Sequence, residues 1–387
     1  MTLHFAREEY DHRIARTCEA MEREGLDALL CFRQESMFWL TGYDTFGYVF
    51  FQCLVLRADG RMTLLTRAPD LRQAQLTSVI DDIRIWVDRE GGNPVDDLKG
   101  ILSEHGLEGR RLGIEYDAYG LRASDGRRVD AGLDSFARLD DASMLVSRLR
   151  VVKSPAEIEY VRHAGELADA ALDAALPLAR AGAFEGDILA AMQGAVFSGG
   201  GDYSGNEFII GSGDYALLCR YQTGRRHLHS NDQLTLEWAG VRHRYHAAMM
   251  RTLVIGEVPQ RQRALYRAAR DALLAVEEQL VPGRCFGDAF DAHARVLDKA
   301  GLHEHRLNAC GYSLGTTFAP NWMDWPMLYA GNPVEFRPGM TIFCHMIIAD
   351  SDHGLAMTLG RTSLIGESGP EPLSRHPLDP GFSGDST

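Results

Sequence analysis

The pattern of apolar and polar positions divides the first 150 residues into alternating helices and strands. Residues 7–24 repeat apolar side chains at helical spacing, and after Gly25 the run LDALLCF (26–32) is apolar enough for a buried strand. Further strands are predicted at 49–57, 61–67, 83–87 and 111–117, and helical stretches at 69–75 and 94–105. This alternation predicts an α/β sheet domain over residues 1–150.

A second domain is predicted to begin with a long helix at Ser154. Ser154 is a good N-cap, Pro155 suits the first helical position, and Glu157 completes a capping box. The pattern further on predicts helices at 184–195, 260–280 and 286–300, paired strands within 207–256, and strands near 340–348 and 355–365. We assign residues 154–369 to this domain. Residues 370–387 are rich in Pro, Gly and Ser and are predicted to form a disordered tail.

Charge and composition exclude several classes of protein. Forty basic against fifty-four acidic side chains give a formal net charge of -14, which repels nucleic-acid phosphates. We find no apolar run long enough to cross a bilayer and no signal-peptide pattern at the start, so we expect a cytoplasmic protein with no membrane partner. The seven cysteines form no CxxC pair, so neither a disulfide framework nor a zinc knuckle is indicated.

Several segments occur in an order that resembles the creatinase and proline-peptidase family, whose catalytic domain has the pita-bread fold. They are LRVVKSPAEIEYVRHAGELAD, RYHAAMMRTLVIGEV, NACGYSLG and RPGMTIFCHMII, followed by a closing strand and GESGPEPLS. The resemblance implies a two-domain α/β (α+β) architecture: a creatinase-type α/β domain over residues 1–150 and a pita-bread catalytic domain over 154–369. It also implies a homodimer.

The resemblance places unsuitable residues where the family's peptidases hold two metal ions. Those enzymes use two Asp, one His and two Glu, because bridged divalent ions need carboxylates and imidazole. The corresponding residues here are Glu237, Ala248, Tyr312, His345 and Gly360. We therefore expect no metal pair and no other cofactor. A mononuclear site on Glu237 and His345 stays an alternative, although a catalytic metal normally has three protein ligands.

Within this family the chain resembles ectoine hydrolase more than creatinase, and both of these enzymes act without the metal pair. The similar segments are WLTGYD (39–44), EWAGVRHRYHAAMMRT and GYSLG, although Gly360 stands where that enzyme retains a Glu. The resemblance implies a metal-independent hydrolase of a small nitrogenous solute, with an ectoine-like cyclic amidine or a creatine-like C–N bond. In this family the first domain reaches into the partner subunit's cleft, which makes Trp39 and Tyr43 predicted substrate contacts.

The residues themselves suggest a catalytic carboxylate at Glu237. Apolar neighbours in LTLEWAG should raise its pKa, and the strand after it projects His246, Ala248 and Met250 on one face. We hypothesise that Glu237 attacks, or activates water at, the carbon of a cyclic amidine or amide. His246 or His345 would carry the proton, and Tyr312 would bind the developing charge. Two alternatives are a structural Glu237 paired with Arg251 and a core role for His246.

A loop and several aromatic residues are predicted to bind the substrate. Arg220 could bind a substrate carboxylate, with Tyr221 beside it. Trp238, Trp322 and Tyr312 could surround a delocalised cation. These residues predict a zwitterionic or cyclic amide or amidine substrate. Two other functions stay open: an Xaa-Pro dipeptidase or aminopeptidase-like metallopeptidase with a degraded metal site, and a non-catalytic protein that binds a small molecule or peptide.

Overall fold

A computed structural model describes residues 3–220 and 223–378 of the chain, which divides into two compact units, residues 1–150 and 151–387. The helices and strands of unit 1 follow the predicted alternation. They are α1 (Arg7–Glu24), β1 (Ala28–Cys31), α2 (Gln34–Thr41), β2 (Cys53–Arg57), β3 (Met62–Arg67), α3 (Ala68–Thr77), β4 (Asp82–Trp86), α4 (Pro94–Glu104), β5 (Arg111–Ile114), α5 (Ala123–Leu133), β6 (Arg138–Asp141) and α6 (Leu145–Arg150).

Unit 1 is built on a mixed sheet with the strand order β4-β3-β2-β1-β5-β6. Strands β1, β2 and β3 pair antiparallel, whereas the β3–β4, β1–β5 and β5–β6 pairs are parallel. Side chains of β1 point alternately into two apolar clusters: Ala28 and Leu30 into one, Leu29 and Cys31 into the other. The sheet is therefore buried on both faces, and the predicted α/β architecture is confirmed.

Unit 2 begins where the capping box was predicted. The Ser154 side chain accepts a hydrogen bond from the Glu157 backbone, and the Glu157 side chain bonds back to the Ser154 backbone. The elements of unit 2 are α7 (Pro155–Ala175), α8 (Glu185–Ser198), β7 (Ile209–Ser212), β8 (Asp232–Arg242), β9 (Tyr245–Ile255), α9 (Gln260–Glu277), α10 (Phe286–Lys299), β10 (Gly311–Ser313), β11 (Asp324–Met327), β12 (Thr341–Asp350), β13 (Leu355–Gly366) and β14 (Gly369–Pro372).

One antiparallel sheet organises unit 2, with the strand order β11-β10-β12-β13-β9-β8-β7 and β14 beside β13. Helix α7 packs closely on β8, where a Cβ built on Gly240 would lie 2.0 Å from the Ala164 carbonyl oxygen. Only glycine permits this approach of helix to strand. A search of the described helices found none that is long and apolar enough to cross a membrane.

The predicted disordered tail is wrong for residues 370–378. Strand β14 pairs with β13, and the Leu373 backbone N–H donates to the Thr362 carbonyl at 2.9 Å. Ser374 then donates to the Asp169 carboxylate at 2.5 Å. Composition alone missed this segment because its order comes from partners far away in the chain. Residues 379–387 lie outside the described residues.

Candidate active site

The five positions that the family resemblance aligns with metal ligands lie on one face of the unit 2 sheet. Strand register aligns Glu237 with Met250, Met250 with Gly360, and Gly360 with His345. Ala248 and Tyr312 belong to the neighbouring row of paired residues, two positions along each strand. In that row Ala248 pairs with Ala239, and Phe343 pairs with Thr362 on one side and with Tyr312 on the other. Paired residues of an antiparallel sheet project to the same side. We call this side, which carries Glu237, Met250, Gly360, His345 and Tyr312, the Glu237 face.

Glu237 is a buried carboxyl group that titrates near neutral pH. Its side chain is 7% exposed, and burial raises its pKa from 4.5 to about 7. The positive charge of Arg220 and a hydrogen bond from Tyr312 act in the opposite direction but are outweighed. The apolar neighbours in the sequence predict this rise. At physiological pH the group is therefore able to accept or release a proton.

Tyr312 and Trp322 lie next to Glu237. The Tyr312 hydroxyl lowers the pKa of the Glu237 carboxyl group, and the Trp322 indole Nε1 donates a hydrogen bond to that hydroxyl at 2.8 Å. Tyr312 is 4% exposed and Trp322 is 1% exposed. Burial and the neighbouring Glu237 raise the pKa of Tyr312 well above its ordinary value, so the phenol keeps its proton.

His345 lies on the Glu237 face as a neutral imidazole. Its ring centroid is 5.4 Å from that of Tyr312, and its Nδ1 has no hydrogen-bond partner. Burial, with a smaller effect of His293, lowers the pKa of His345 to about 3. His293, on α10, is also buried with an unpartnered Nδ1, and burial lowers its pKa to about 4. Neither imidazole is a cationic acid at neutral pH, and nothing in the sequence indicated His293.

His246 is a core histidine, which corrects the prediction that it carries a proton in catalysis. Its Nε2 accepts a hydrogen bond from the Gly205 N–H at 2.8 Å, and its Nδ1 contacts the Arg244 carbonyl oxygen at 2.8 Å. The residue is fully buried, and its pKa is lowered to about 4 by that burial. His246 is also four residues along β9 from Met250, the partner of Glu237, or about 13 Å.

Strand alternation places Trp238 and Arg251 on the opposite face of the sheet, so two further interpretations are wrong. The Trp238 indole donates to the Ala168 carbonyl of α7 at 2.8 Å, and its ring lies in the apolar core beneath that helix. It cannot surround a substrate at Glu237. The Arg251 guanidinium donates to the Met250 and Gly360 carbonyls at 2.8 and 2.7 Å. It therefore forms no salt bridge with Glu237, and the structural pairing of these two residues is excluded.

Arg220 and Cys219 lie at the edge of the site. Arg220 is exposed, and its charge lowers the pKa of Glu237, Tyr312 and His345. Cys219 is half-buried, and burial together with the nearby charge of Glu237 raises the pKa of its thiol. The sequence gave no indication that this cysteine lies near Glu237. Tyr221, the other predicted contact in this loop, lies outside the described residues.

Trp39 and Tyr43 are core residues of unit 1, which corrects their prediction as substrate contacts. Both have zero exposure and belong to the same apolar cluster. The Tyr43 hydroxyl donates to Gln52 at 3.1 Å. The exposed aromatic residues of this region come a few positions later, at Phe46 (73% exposed) and Phe50 (41% exposed).

The side chains of the Glu237 face do not fit a pair of metal ions. Ala248 and Gly360 offer no ligand atom, and a Cβ at Gly360 would lie 2.8 Å from the Cys344 carbonyl oxygen. Within residues 3–220 and 223–378, one group of three potential metal ligands is found, and it lies away from the Glu237 face, at the β12–β13 hairpin. They are His305, Asp350 and Asp352. Asp350 is already ion-paired with Arg261 at 2.7 Å, and the group lies away from Glu237 in the sheet register.

Comparisons with known proteins agree with this architecture. Residues 159–367 match the model of metallopeptidase family M24, and residues 13–152 match that of the creatinase/prolidase N-terminal domain. The ectoine hydrolase of Halomonas elongata is 30% identical over 97% of this chain and 98% of its own. The Xaa-Pro dipeptidase of Pyrococcus horikoshii is 21% identical over 86% of this chain and 88% of its own. The solved dipeptidase PepE of Mycobacterium ulcerans superimposes with a TM-score of 0.84 at 22% identity, covering 97% and 98% of the two chains. The predicted family resemblance and fold are confirmed.

Proposed function

The chain belongs to metallopeptidase family M24 and is a hydrolase of that family, and we propose that it hydrolyses a C–N bond of a small nitrogenous solute without a metal pair. The observation that carries the proposal is the buried carboxyl group of Glu237, whose pKa is about 7. It lies on a face where two of the five metal-ligand positions, Ala248 and Gly360, have no ligand atom. The carboxylate thus replaces the metal-bound hydroxide as the reactive group.

The proposed chemistry needs one ionised carboxylate and one water molecule. In one route the Glu237 carboxylate attacks the electrophilic carbon, the C–N bond breaks, and water then releases the acyl group from Glu237. In the other route Glu237 takes a proton from water, and the resulting hydroxide attacks the same carbon. In both routes the leaving nitrogen receives a proton and the carbon receives a hydroxyl group. A single turnover in ¹⁸O water tests the first route in the form in which water attacks the carboxyl carbon of Glu237: the label then enters Glu237 and the product is unlabelled, whereas the second route puts the label into the product.

The electrostatics of the site favour a substrate that carries both charges. The ionised Glu237 attracts a cationic carbon–nitrogen group such as an amidinium, and the exposed guanidinium of Arg220 is available for a carboxylate. A small cyclic amidine with a carboxylate satisfies both. The similarity to an ectoine hydrolase supports this class, and creatine-like compounds share the same pattern of charges.

The first experiment is a substrate screen of the purified protein with and without a chelator. Ectoine, creatine, a hydantoin and Xaa-Pro dipeptides are compared, and metal content is measured in the wild type and in Asp352→Asn, which removes one potential ligand of the hairpin cluster. We expect turnover of a cyclic amidine or creatine-like compound that is insensitive to the chelator and is lost in Glu237→Gln. Chelator-sensitive turnover of an Xaa-Pro dipeptide would overturn the proposal in favour of a metallopeptidase. Ligand binding without any turnover would identify a binding protein.

A further inference from the structure

The central sheet of unit 2 has a short ladder where β9 meets β13. In these fully described strands, β9 and β13 pair over three residues, whereas β8 and β9 pair over eleven and β12 and β13 over ten. We call the three pairs, which join residues 249–251 to residues 359–361, the β9–β13 junction. The strand order places the junction between Glu237 on β8 and His345 on β12. The position of Glu237 relative to His345 therefore depends on three ladders, of which the junction is the shortest.

The Arg251 guanidinium bridges the two strands at the centre of the junction. Its Nη1 donates to the carbonyl oxygens of Met250 and Gly360 at 2.8 and 2.7 Å. Met250 is the register partner of Glu237 on β8. Gly360 is the register partner of His345 on β12. One nitrogen atom therefore holds together the two backbone positions that connect Glu237 with His345, although the Arg251 side chain lies on the opposite face of the sheet.

Threonine hydroxyl groups bridge β9 and β13 on both sides of Arg251. The Ala248 N–H donates to the Thr362 hydroxyl at 2.9 Å, and that hydroxyl donates to the Ala248 carbonyl oxygen at 2.9 Å. At the other end the Thr358 N–H donates to the Thr252 hydroxyl at 2.8 Å. Side chains thus add hydrogen bonds at the centre and at both ends of the short ladder, and these bonds fix the register of β9 against β13.

Arg251 is a costly side chain for this position. It is 7% exposed, and within the described residues its Nη2 has no hydrogen-bond partner. Taking a guanidinium out of water costs free energy unless its hydrogen bonds and its charge are compensated. An apolar side chain of similar length would avoid this cost, but it would leave the junction without its central bridge.

We infer that Arg251 is a positioning residue that sets the spacing between Glu237 and His345. It acts through the backbone of Met250 and Gly360, which it holds together from the other face of the sheet. The inference rests on the proposed function of Glu237 for its effect on turnover, but the bridge itself is independent of any substrate. A displacement of β13 against β9 moves His345 relative to Glu237, and a misplacement of about 1 Å in an active site can reduce the rate about 100-fold.

A second arginine on the same face of the sheet provides a matched control. Arg361 also belongs to the junction, but its guanidinium binds the Glu277 carboxylate at 2.8 and 2.7 Å and so connects β13 with helix α9. The two side chains of this pair are 13% and 8% exposed. A loss of fold stability alone predicts at least as large an effect from Arg361→Met as from Arg251→Met, because the former leaves a buried carboxylate without its arginine partner. A positioning role predicts the larger effect from Arg251→Met.

The first measurement is hydrogen exchange of the full-length protein, followed by mass spectrometry. Peptides that contain the junction, residues 246–252 and 356–362, are compared with peptides of β8 in the same sample. Local opening of the junction speeds exchange there alone, whereas global unfolding speeds both. We expect the ratio of junction exchange to β8 exchange to rise about 10-fold in Arg251→Met, the effect of losing a hydrogen bond from a charged group, and to stay unchanged in Arg361→Met.

The second measurement is steady-state turnover of ectoine, creatine and a hydantoin, the compounds of the substrate screen. For the compound that is hydrolysed, kcat should fall about 10- to 100-fold in Arg251→Met, with KM changed less than about 3-fold, because the reacting groups are displaced while the substrate contacts remain. Arg251→Lys keeps a charged donor and should recover part of the loss of kcat.

An unchanged exchange ratio in a folded Arg251→Met protein would overturn the inference. A raised ratio with an unchanged kcat, or an equal fall of kcat in Arg361→Met, would overturn it as well. If Arg251→Met does not fold, Arg251→Gln takes its place, because the shorter amide keeps a polar group, and the same outcomes decide. The exchange measurement needs no substrate, so turnover retained in Glu237→Gln refutes the proposed function, whereas an unchanged exchange ratio refutes the role of Arg251.

Discussion

Neutralising Glu237 should stabilise the protein above pH 7 and leave its stability nearly unchanged at acid pH. In the folded chain the pKa of Glu237 is raised from 4.5 to about 7, because burial penalises the ionised form. Between these two pH values the folded state holds a proton that the unfolded chain has released, so stability falls as pH rises from 4.5 through 7. At about 1.4 kcal/mol per pKa unit, the cost reaches about 3 kcal/mol above pH 7. Glu237→Gln removes this cost because the amide carries no charge at any pH.

The assay compares urea unfolding of the wild type and Glu237→Gln at pH 5, 6, 7 and 8, following the transition of unit 2. We expect the free energy of unfolding of the variant to exceed that of the wild type by about 2–3 kcal/mol at pH 8, and by much less at pH 5. The control is Glu304→Gln, which alters a carboxylate that is 89% exposed and should show no such dependence. A stability difference between Glu237→Gln and the wild type that is the same at pH 5 and pH 8 would refute the assignment of a raised pKa.

Three further predictions test the site and the assembly. Turnover should rise with pH through about 7, as Glu237 ionises, and Glu237→Gln should reduce kcat at least 1,000-fold in a steady-state assay. Gly360→Glu should not create a metal site, and should lower the free energy of unfolding by about 1–3 kcal/mol because its Cβ meets the Cys344 carbonyl; metal analysis and thermal melting check both effects. If the predicted homodimer forms through the exposed aromatic residues Phe46 and Phe50, replacing both by Ser should shift the molecular mass measured by light scattering towards the monomer, with an unchanged circular dichroism spectrum.

Local pattern in the sequence accounts for most of the elements and for the character of Glu237. Apolar periodicity located the principal helices and strands, and Ser154 with Glu157 marked the start of unit 2, because a capping box is made entirely by neighbours in the chain. The apolar run around Glu237 predicted a desolvated carboxyl group for the same reason. The resemblance in motif order singled out Glu237, Ala248, Tyr312, His345 and Gly360, and the strand register places these five residues on one face of the sheet.

What only the tertiary structure decided is which side chains meet. His246 has both ring nitrogens occupied by Gly205 and Arg244, and neither contact is visible in a strand pattern. Trp39 and Tyr43 are buried, although a loop rich in aromatic residues does not reveal which of them face solvent. The hydrogen bond of Trp322 to Tyr312 joins the segment before β11 to β10, and the sequence does not show that these two segments pair. The spacing of residues along one strand predicts which of them share a face of the sheet. The side chains that they contact on that face come from distant parts of the chain, because strand pairing and loop packing bring those parts together only in the complete sheet.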